Sequence, residues 1–535
     1  MDTELLSRLQ FGTTTVYHFF FVPVTIGLSG LVAGLQTAWV RTGKERYLRL
    51  TRLYGKLFLI NFAIGVATGI VQEFQFGMNW SQFSRFVGDI FGAPLALEGL
   101  LAFFLESTFL GLWIFGWARL PKKVHLACIW IVAIGTLLSA TFILAANSFM
   151  QHPVGFHITN GRAELTDFGA VLTNPVLLVT LPHQIFACYM VGAGIVVAVA
   201  AWHLVRIARR DRLAGDHLRG PEPVEGPNHN HQGPEPVEGP ETRVIDPSTS
   251  SGILASECSA PPATDSSIES ASHRAEERAT FRTALRIGAI ALLIAGAGTF
   301  VSGDFQGKVM TDVQPMKMAA AEALYYNEKP ASFSIITIGT LDGKHEVWSI
   351  KVPRLLSFLA DGNFTAEVHG INDLQIQYQH KYGPGDYAPN IPTTYWTFRL
   401  MMGTGIVAVA GGALILWLTR KNRDPATTGF WGLVWRFGPI LLPFLPILGN
   451  SFGWIFTETG RQPWLVFGLM PTSAGVSPNL SSTEVWISLI VFTLLYGVLA
   501  VVELRLFAKT IGRGLPEPDK PDEPSMADQP LSYAY

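Results

Sequence analysis

Nine apolar stretches recur along the chain, separated mostly by short polar connections. An apolar run of ~20 residues crosses a hydrocarbon layer of about 30 Å as a helix. The pattern predicts spanning helices near 14–40, 53–77, 94–118, 124–148, 183–207, 283–303, 395–419, 432–456 and 484–508. The eighth carries Pro439, Pro443 and Pro446, which remove backbone donors, so a kink is expected there. The fold class that follows is an all-α integral membrane protein with nine transmembrane helices.

Basic residues orient that bundle. The first connection holds Arg41, Lys44, Arg46, Arg49 and Arg52; the third holds Arg119, Lys122 and Lys123. The fifth begins with Arg206, Arg209, Arg210 and Arg212, and the seventh holds Arg420, Lys421 and Arg423. The tail adds Arg505, Lys509 and Arg513, whereas the connections at 78–93 and 149–182 hold one arginine each, Arg85 and Arg162. Every second connection is basic. The positive-inside rule then places the N-terminus outside and the C-terminus in the cytoplasm, which requires an odd helix count.

Two connections are long. Residues 208–281 carry GPEPVEGP twice (220–227 and 233–240) and continue in Ser, Pro, Ala and Thr. Such a composition buries no core and predicts a disordered cytoplasmic linker, in which His229 and His231 read as solvated. Residues 304–394 alternate apolar and polar runs in SFSIITIGT and EVWSIKV, which predicts an ordered extracytoplasmic loop. The expected order is helices one to five within 1–207, the linker at 208–281, the sixth helix at 282–303, the loop at 304–394, the last three helices at 395–508 and a cytoplasmic tail at 509–535.

Composition agrees. Of 535 residues, 49% are hydrophobic and only 15% charged, against about a quarter charged in soluble domains. The net charge of −2 and the lack of a broad basic face give no sign of nucleic-acid binding. Cys128, Cys188 and Cys258 fit no disulfide framework, zinc site or covalent haem motif. Nothing in MDTELLSRLQFG reads as a cleaved signal peptide.

Ionisable residues inside apolar spans are costly and mark function by default. His18 lies early in the first span, where an imidazole is either a good iron ligand or a partner for a neighbouring helix. His183 opens the fifth span in LPHQIF, where an interfacial role is equally open. Glu98 and Glu106 stand eight residues apart in GAPLALEGLLAFFLESTF. They should face broadly the same side, about 12 Å apart along the axis, as a proton relay, as metal ligands, or paired with a base on another helix. Ser107 and Thr108 beside them extend the polar run. GWIFTETGRQPW concentrates Trp454, Glu458, Arg461, Gln462 and Trp464, which also reads as an interfacial ion pair with an aromatic belt. Met401 in FRLM reads alone as packing.

Taken together, SRLQFGTTTVYHFFFVP, EFQFGMNWSQFSRFVGDIFGAPLALEGLLAFFLEST, LPHQ (181–184), GDFQGKVMTDVQPMKMAAAEA, FRLM (398–401) and GWIFTETGRQPW resemble the large subunit of the cytochrome bd quinol oxidases. The resemblance spans nearly the whole chain except 208–281 and the last ~20 residues, and several long motifs in order are far more specific than one short one. It implies three cofactors: a low-spin haem b, a high-spin haem b and a haem d. His183 and Met401 then match the axial pair of the low-spin haem, and Arg399 a partner for its propionate. His18 matches an axial ligand of one high-spin haem and Glu458 the carboxylate that serves the other. Glu98 stands near that pair, and the resemblance leaves open which group meets haem b and which haem d. Trp454 and Arg461 belong to the haem surroundings. Glu106 with Ser107 matches the cytoplasmic proton path.

The loop 304–394 corresponds to the family's quinol-binding loop, shorter than in long-loop members, with Lys317 and Glu322 as its quinol-associated pair. The resemblance further implies quinol oxidation outside, reduction of O2 to water with cytoplasmic protons, and charge separation without a pump. The implied partners are a second large membrane subunit and a small single-helix subunit, in a bacterial cytoplasmic (inner) membrane. No copper-ligand cluster is visible. A proton-coupled transporter lacks support, since no internal repeat appears. A haem anchor that never meets O2 leaves His18, Glu98, Glu106 and Glu458 unexplained.

Overall fold

The computed structural model describes residues 2–218, 265–340 and 342–517, except for the side chains of 214–218 and 265–271. Helix α1 (Thr3–Thr42) ends on Gly43, whose φ of 67° lets its N–H close back on the Trp39 carbonyl, the left-handed stop that glycine takes without strain. Helix α2 is Glu45–Met78, and α3 (Ser81–Leu97) runs through a π-turn, Glu98–Phe103, into α4 (Phe104–Phe115). After α5 (Lys122–Gln151) come the hairpin β1 (Phe156–Thr159) and β2 (Arg162–Leu165) and the short α6 (Phe168–Leu172). Two long helices follow, α7 (Pro175–Leu218) and α8 (Asp265–Val313). Helix thus continues beyond both expected ends of the linker. The two GPEPVEGP copies, His229, His231, Cys258 and the tail from 518 onward lie outside the described residues.

The long loop is ordered. It holds α9 (Pro315–Glu322), an antiparallel hairpin of β3 (Phe333–Gly339) and β4 (Glu346–Val352), α10 (Leu355–Asp361) and α11 (Ile371–Tyr382). The two alternating runs noted above form the hairpin, as period-two patterning requires. Helix α12 (Ile391–Leu418) starts on Asn390, whose side chain accepts the Thr393 N–H. The proline-rich span is broken into α13 (Gly429–Leu441) and α14 (Phe444–Gly460), bent by 41°. The turn after it pairs β5 (Trp464–Val466) with β6 (Met470–Pro471) and adds α15 (Thr472–Gly475). Helix α16 (Ser482–Arg513) opens with a reciprocal capping box between Ser481 and Glu484. Among the described residues eight helices are long and apolar enough to span a membrane, and the bent pair makes nine as one span.

Membrane helices gain little from apolar surface alone, so close backbone approach and interhelical hydrogen bonds carry the packing. Helices α1 and α7 cross with Gly27 against Gly192; a Cβ at Gly27 would sit 2.3 Å from the Cys188 carbonyl oxygen. Asn61 of α2 donates to the Phe21 carbonyl (2.9 Å) and to Thr25 Oγ1 (2.7 Å) of α1. Tyr54 of α2 donates to the Val196 carbonyl of α7 (3.0 Å). Leu28, Val32, Leu57, Phe58, Ile129 and Val191 fill the buried core among these helices.

The basic connections converge on one end. Buried Arg49 donates to the Pro516 carbonyl (2.9 Å) and meets Glu276 at 3.3 Å, while Arg282 bonds Asp424 at 2.6 Å. The opposite end carries the ordered loop: Gln314 Nε2 donates to the Gln151 carbonyl at 2.6 Å, and Phe467 N–H to the Met150 carbonyl at 2.9 Å.

Candidate functional site

A cavity of about 1190 Å³ opens among α1, α2, the α3–α4 helix, α5 and α14. It exceeds the roughly 300–1,000 Å³ of ordinary small-ligand pockets. His18, Glu98, Glu106, Trp454, Glu458 and Arg461 all line it. Six of the residues read from sequence therefore share one chamber, although four helical segments contribute them.

Each is held by a specific neighbour. His18 Nδ1 lies 2.9 Å from Thr68 Oγ1 on α2. Glu98, inside the π-turn, accepts from Ser139 Oγ at 2.8 Å. Glu106 is buried against Gly135, where an added Cβ would stand 2.8 Å from Glu106 Cγ. Neither carboxylate meets a Lys or Arg among the described residues, so the base-paired alternative finds no support. Glu458 accepts from Asn147 Nδ2 at 2.9 Å and from Arg461 Nη2. Ser107 does not join the chamber. It lies on the exposed face of α4, and its hydroxyl turns back to the Phe104 carbonyl at 3.4 Å.

His183 and Met401 lie on α7 and α12. His183 Nδ1 is 3.1 Å from the Thr299 carbonyl oxygen of α8. A carbonyl only accepts, so the ring carries its hydrogen on Nδ1 and leaves Nε2 bare. Gly303 of α8 gives the imidazole its room, since a Cβ there would lie 3.2 Å from His183 Cε1. Met401 packs on Gly453 of α14, with Sδ 2.8 Å from where that residue's Cβ would be.

The loop residues are buried rather than solvated. Lys317 and Glu322 are 2% and 5% exposed, so α9 is no surface helix. They turn to different partners. Lys317 Nζ donates to Gln151 Oε1 of α5, while Glu322 takes Arg399 of α12 in a two-pronged pair at 2.7 and 3.3 Å. Arg399 also sits over the Phe333 and Tyr395 rings, at 4.6 and 4.7 Å. Burial holds the Lys317 ammonium well below the usual lysine range; Arg461 adds to this and Glu458 opposes it. Burial likewise pushes the Glu322 carboxyl up, with Arg399 pulling it back.

The residues fit haem. Neither imidazole Nε2 has a hydrogen-bond partner among the described residues, as a metal ligand requires. The chamber also holds buried donors without a partner among the described residues, Arg461 Nη1 and Trp80 Nε1, which suit the carboxylates of an otherwise apolar group. Arg399 Nε likewise has none among them. Ser139, Asn147, Thr68 and Gln151 were not singled out by sequence. Each is a small polar residue in or beside an apolar span, and only the fold shows which ones face an ionisable partner.

A polytopic helical bundle with two half-buried imidazoles and an acid-lined chamber is the class of membrane protein that can hold an embedded metal cofactor. The comparisons specify which. Residues 6–219 and 266–515 match the model of the cytochrome bd terminal oxidase subunit I family. The chain is 41% identical to the cytochrome bd ubiquinol oxidase subunit 1 of Bacillus subtilis (strain 168) over 99% of its length and 97% of the relative's. It is 32% identical to the cytochrome bd-II ubiquinol oxidase subunit 1 of Escherichia coli (strain K12), over 95% and 96%. Its fold is similar to the structure of bd oxidase from Geobacillus thermodenitrificans, with TM-score 0.74, 26% identity and 96% and 99% coverage. The chain belongs to the cytochrome bd terminal oxidase subunit I family, and so is a haem-associated, membrane-spanning subunit of a respiratory quinol oxidase.

Proposed function

We propose that this subunit oxidises quinol at the ordered loop and reduces O2 to water in the chamber. In this reading the loop and N-terminus face outward and the basic end with the C-terminus faces the cytoplasm. The observation that carries the reading is the pair of half-buried imidazoles whose Nε2 atoms have no partner among the described residues, in a chain whose two matched segments cover both halves of the bundle. When bound, haem supplies one-electron transfer and an iron position open to O2. The group set is a low-spin haem b with His183 and Met401, and a high-spin haem b and haem d with His18, Glu458 and Glu98.

The chain's own residues position, neutralise and move protons. Arg461 offsets the Glu458 charge, and Asn147 orients its other oxygen. Glu106, buried without a basic partner among the described residues, and Glu98 line the same chamber and form the relay. Protons taken from the cytoplasmic side reach the chamber through these two carboxyls. At the loop, Lys317 and Glu322 flank the quinol. Lys317, its ammonium held below the usual lysine range by burial, hydrogen-bonds a quinol oxygen, and Glu322 orients Arg399. Releasing protons outside and consuming them from inside separates charge, worth about 2.3 kcal/mol per charge per 100 mV. A second large subunit and a small single-helix subunit complete the enzyme in the bacterial cytoplasmic membrane.

The test is a reduced-minus-oxidised spectrum of the purified oxidase. Low-spin b, high-spin b and a chlorin band support the proposal. A spectrum with low-spin b alone, or no haem, refutes it.

A further inference from the structure

The orientation of His18 depends on one hydroxyl. Thr68 Oγ1 lies 2.9 Å from His18 Nδ1 and 2.9 Å from the Gly65 carbonyl oxygen one turn back on α2. A threonine hydroxyl has one hydrogen, and a carbonyl has none to give. If that hydrogen pointed at the imidazole, two oxygens would face each other at 2.9 Å where Thr68 is completely buried. An unmade hydrogen bond is costly in such a place. The hydroxyl therefore donates to Gly65 and accepts from His18 Nδ1–H. That leaves the Nε2 lone pair free.

One further contact seats the ring, and another anchors the backbone beside it. A Cβ at Gly69 would stand 3.2 Å from His18 Cε1, so the imidazole edge packs on bare backbone there. Tyr496 of α16 donates to the Thr68 carbonyl at 3.2 Å and stacks on Tyr17, the neighbour of His18, at 4.5 Å. The two imidazoles thus differ in kind. His183 takes its tautomer from a main-chain carbonyl, which no substitution removes, whereas His18 takes it from a side chain.

We propose that Thr68 is the positioning residue that sets the tautomer and ring orientation of His18 for metal ligation through Nε2. This rests on the reading of His18 as an iron ligand. Thr68→Val deletes the acceptor at nearly constant shape, and Thr68→Ser keeps it. In the assembled oxidase, the haem-to-protein ratio, the high-spin absorption and the iron–histidine stretch by resonance Raman are measured. Thr68→Val should weaken retention of that haem about 10- to 100-fold, as loss of such outer partners does, and shift the stretch. Its low-spin band should persist, and Thr68→Ser should restore the wild-type signals. A Thr68→Val protein with wild-type occupancy and stretch overturns the inference. So does equal loss of every haem band in both variants. His18→Ala separates the two levels: an intact high-spin signal there sinks the ligand reading itself, whereas its loss beside an unaltered Thr68→Val sinks only the role of Thr68.

Discussion

Gly453→Ala adds one methyl group at the point where α14 faces Met401. The new Cβ would stand 2.8 Å from the Met401 sulfur, whereas carbon atoms in optimal contact are about 3.5 Å or more apart. The sulfur must retreat by roughly 0.7 Å or the helices must part. A thioether on an unbranched chain is the softer element, so the side chain rotates first. The stability cost should fall at the low end of the 1–3 kcal/mol typical of overpacking. On the proposed role of Met401 as an iron ligand, the functional cost should be large, because a displaced sulfur would no longer serve the metal. Gly449→Ala is the control. It lies one turn earlier on the same helix, where its Cβ would meet Thr404 Oγ1 at 3.0 Å rather than the sulfur. A redox titration monitored at the low-spin band should show lost amplitude or a lowered midpoint potential in Gly453→Ala and near wild-type behaviour in Gly449→Ala. A Gly453→Ala enzyme with the wild-type band and potential would refute the placement of Met401 on the iron.

Glu106→Gln should slow O2 reduction by roughly 10²-fold, a low-end general acid–base contribution, with haem content unchanged; equal turnover in an oxygen-electrode assay removes Glu106 from the proton route. Glu322→Ala leaves the Arg399 guanidinium buried without its anion, which should cost about 3–5 kcal/mol and slow quinol oxidation; an unchanged unfolding midpoint with normal quinol kinetics argues against both effects. Lys317 gives a pH test. Its folded pKa is depressed, so between that value and the ordinary lysine value the unfolded chain binds more protons there, and stability rises with pH across that window. Lys317→Met should flatten this rise in thermal unfolding followed from neutral to alkaline pH, and an identical slope in both proteins contradicts it.

Much of the bundle was legible because its signals are local. Apolar run length gave the spans, and three prolines announced the break between α13 and α14. The alternation in SFSIITIGT and EVWSIKV announced the β3–β4 hairpin. The ends of α7 and α8 were not legible, because helix there continues in polar sequence whose composition alone suggests a linker. The chamber was legible only through its ionisable residues, which stand out against apolar neighbours. Their partners were not. Ser139, Asn147 and Thr68 look like ordinary polar residues of membrane helices until a facing helix supplies the contact. The split of Lys317 and Glu322 toward different helices was equally hidden, since spacing on one short helix says nothing of which neighbours surround it.

The wide turn at Glu98–Phe103 begins at Glu98 and separates it from Glu106 within the α3–α4 helix. A π-turn closes its rings one residue later than an α-turn does. The turn therefore carries a single surplus residue between the two halves of this helix. Deleting that surplus position would let the turn relax to uniform pitch with both flanks kept in phase, whereas deleting one position in the regular helix between the turn and Glu106 would rotate everything beyond it by about 100° and carry Glu106 off the chamber wall. In lineages of this subunit, a one-residue length change should be tolerated more readily within the turn than in the regular helix between it and Glu106.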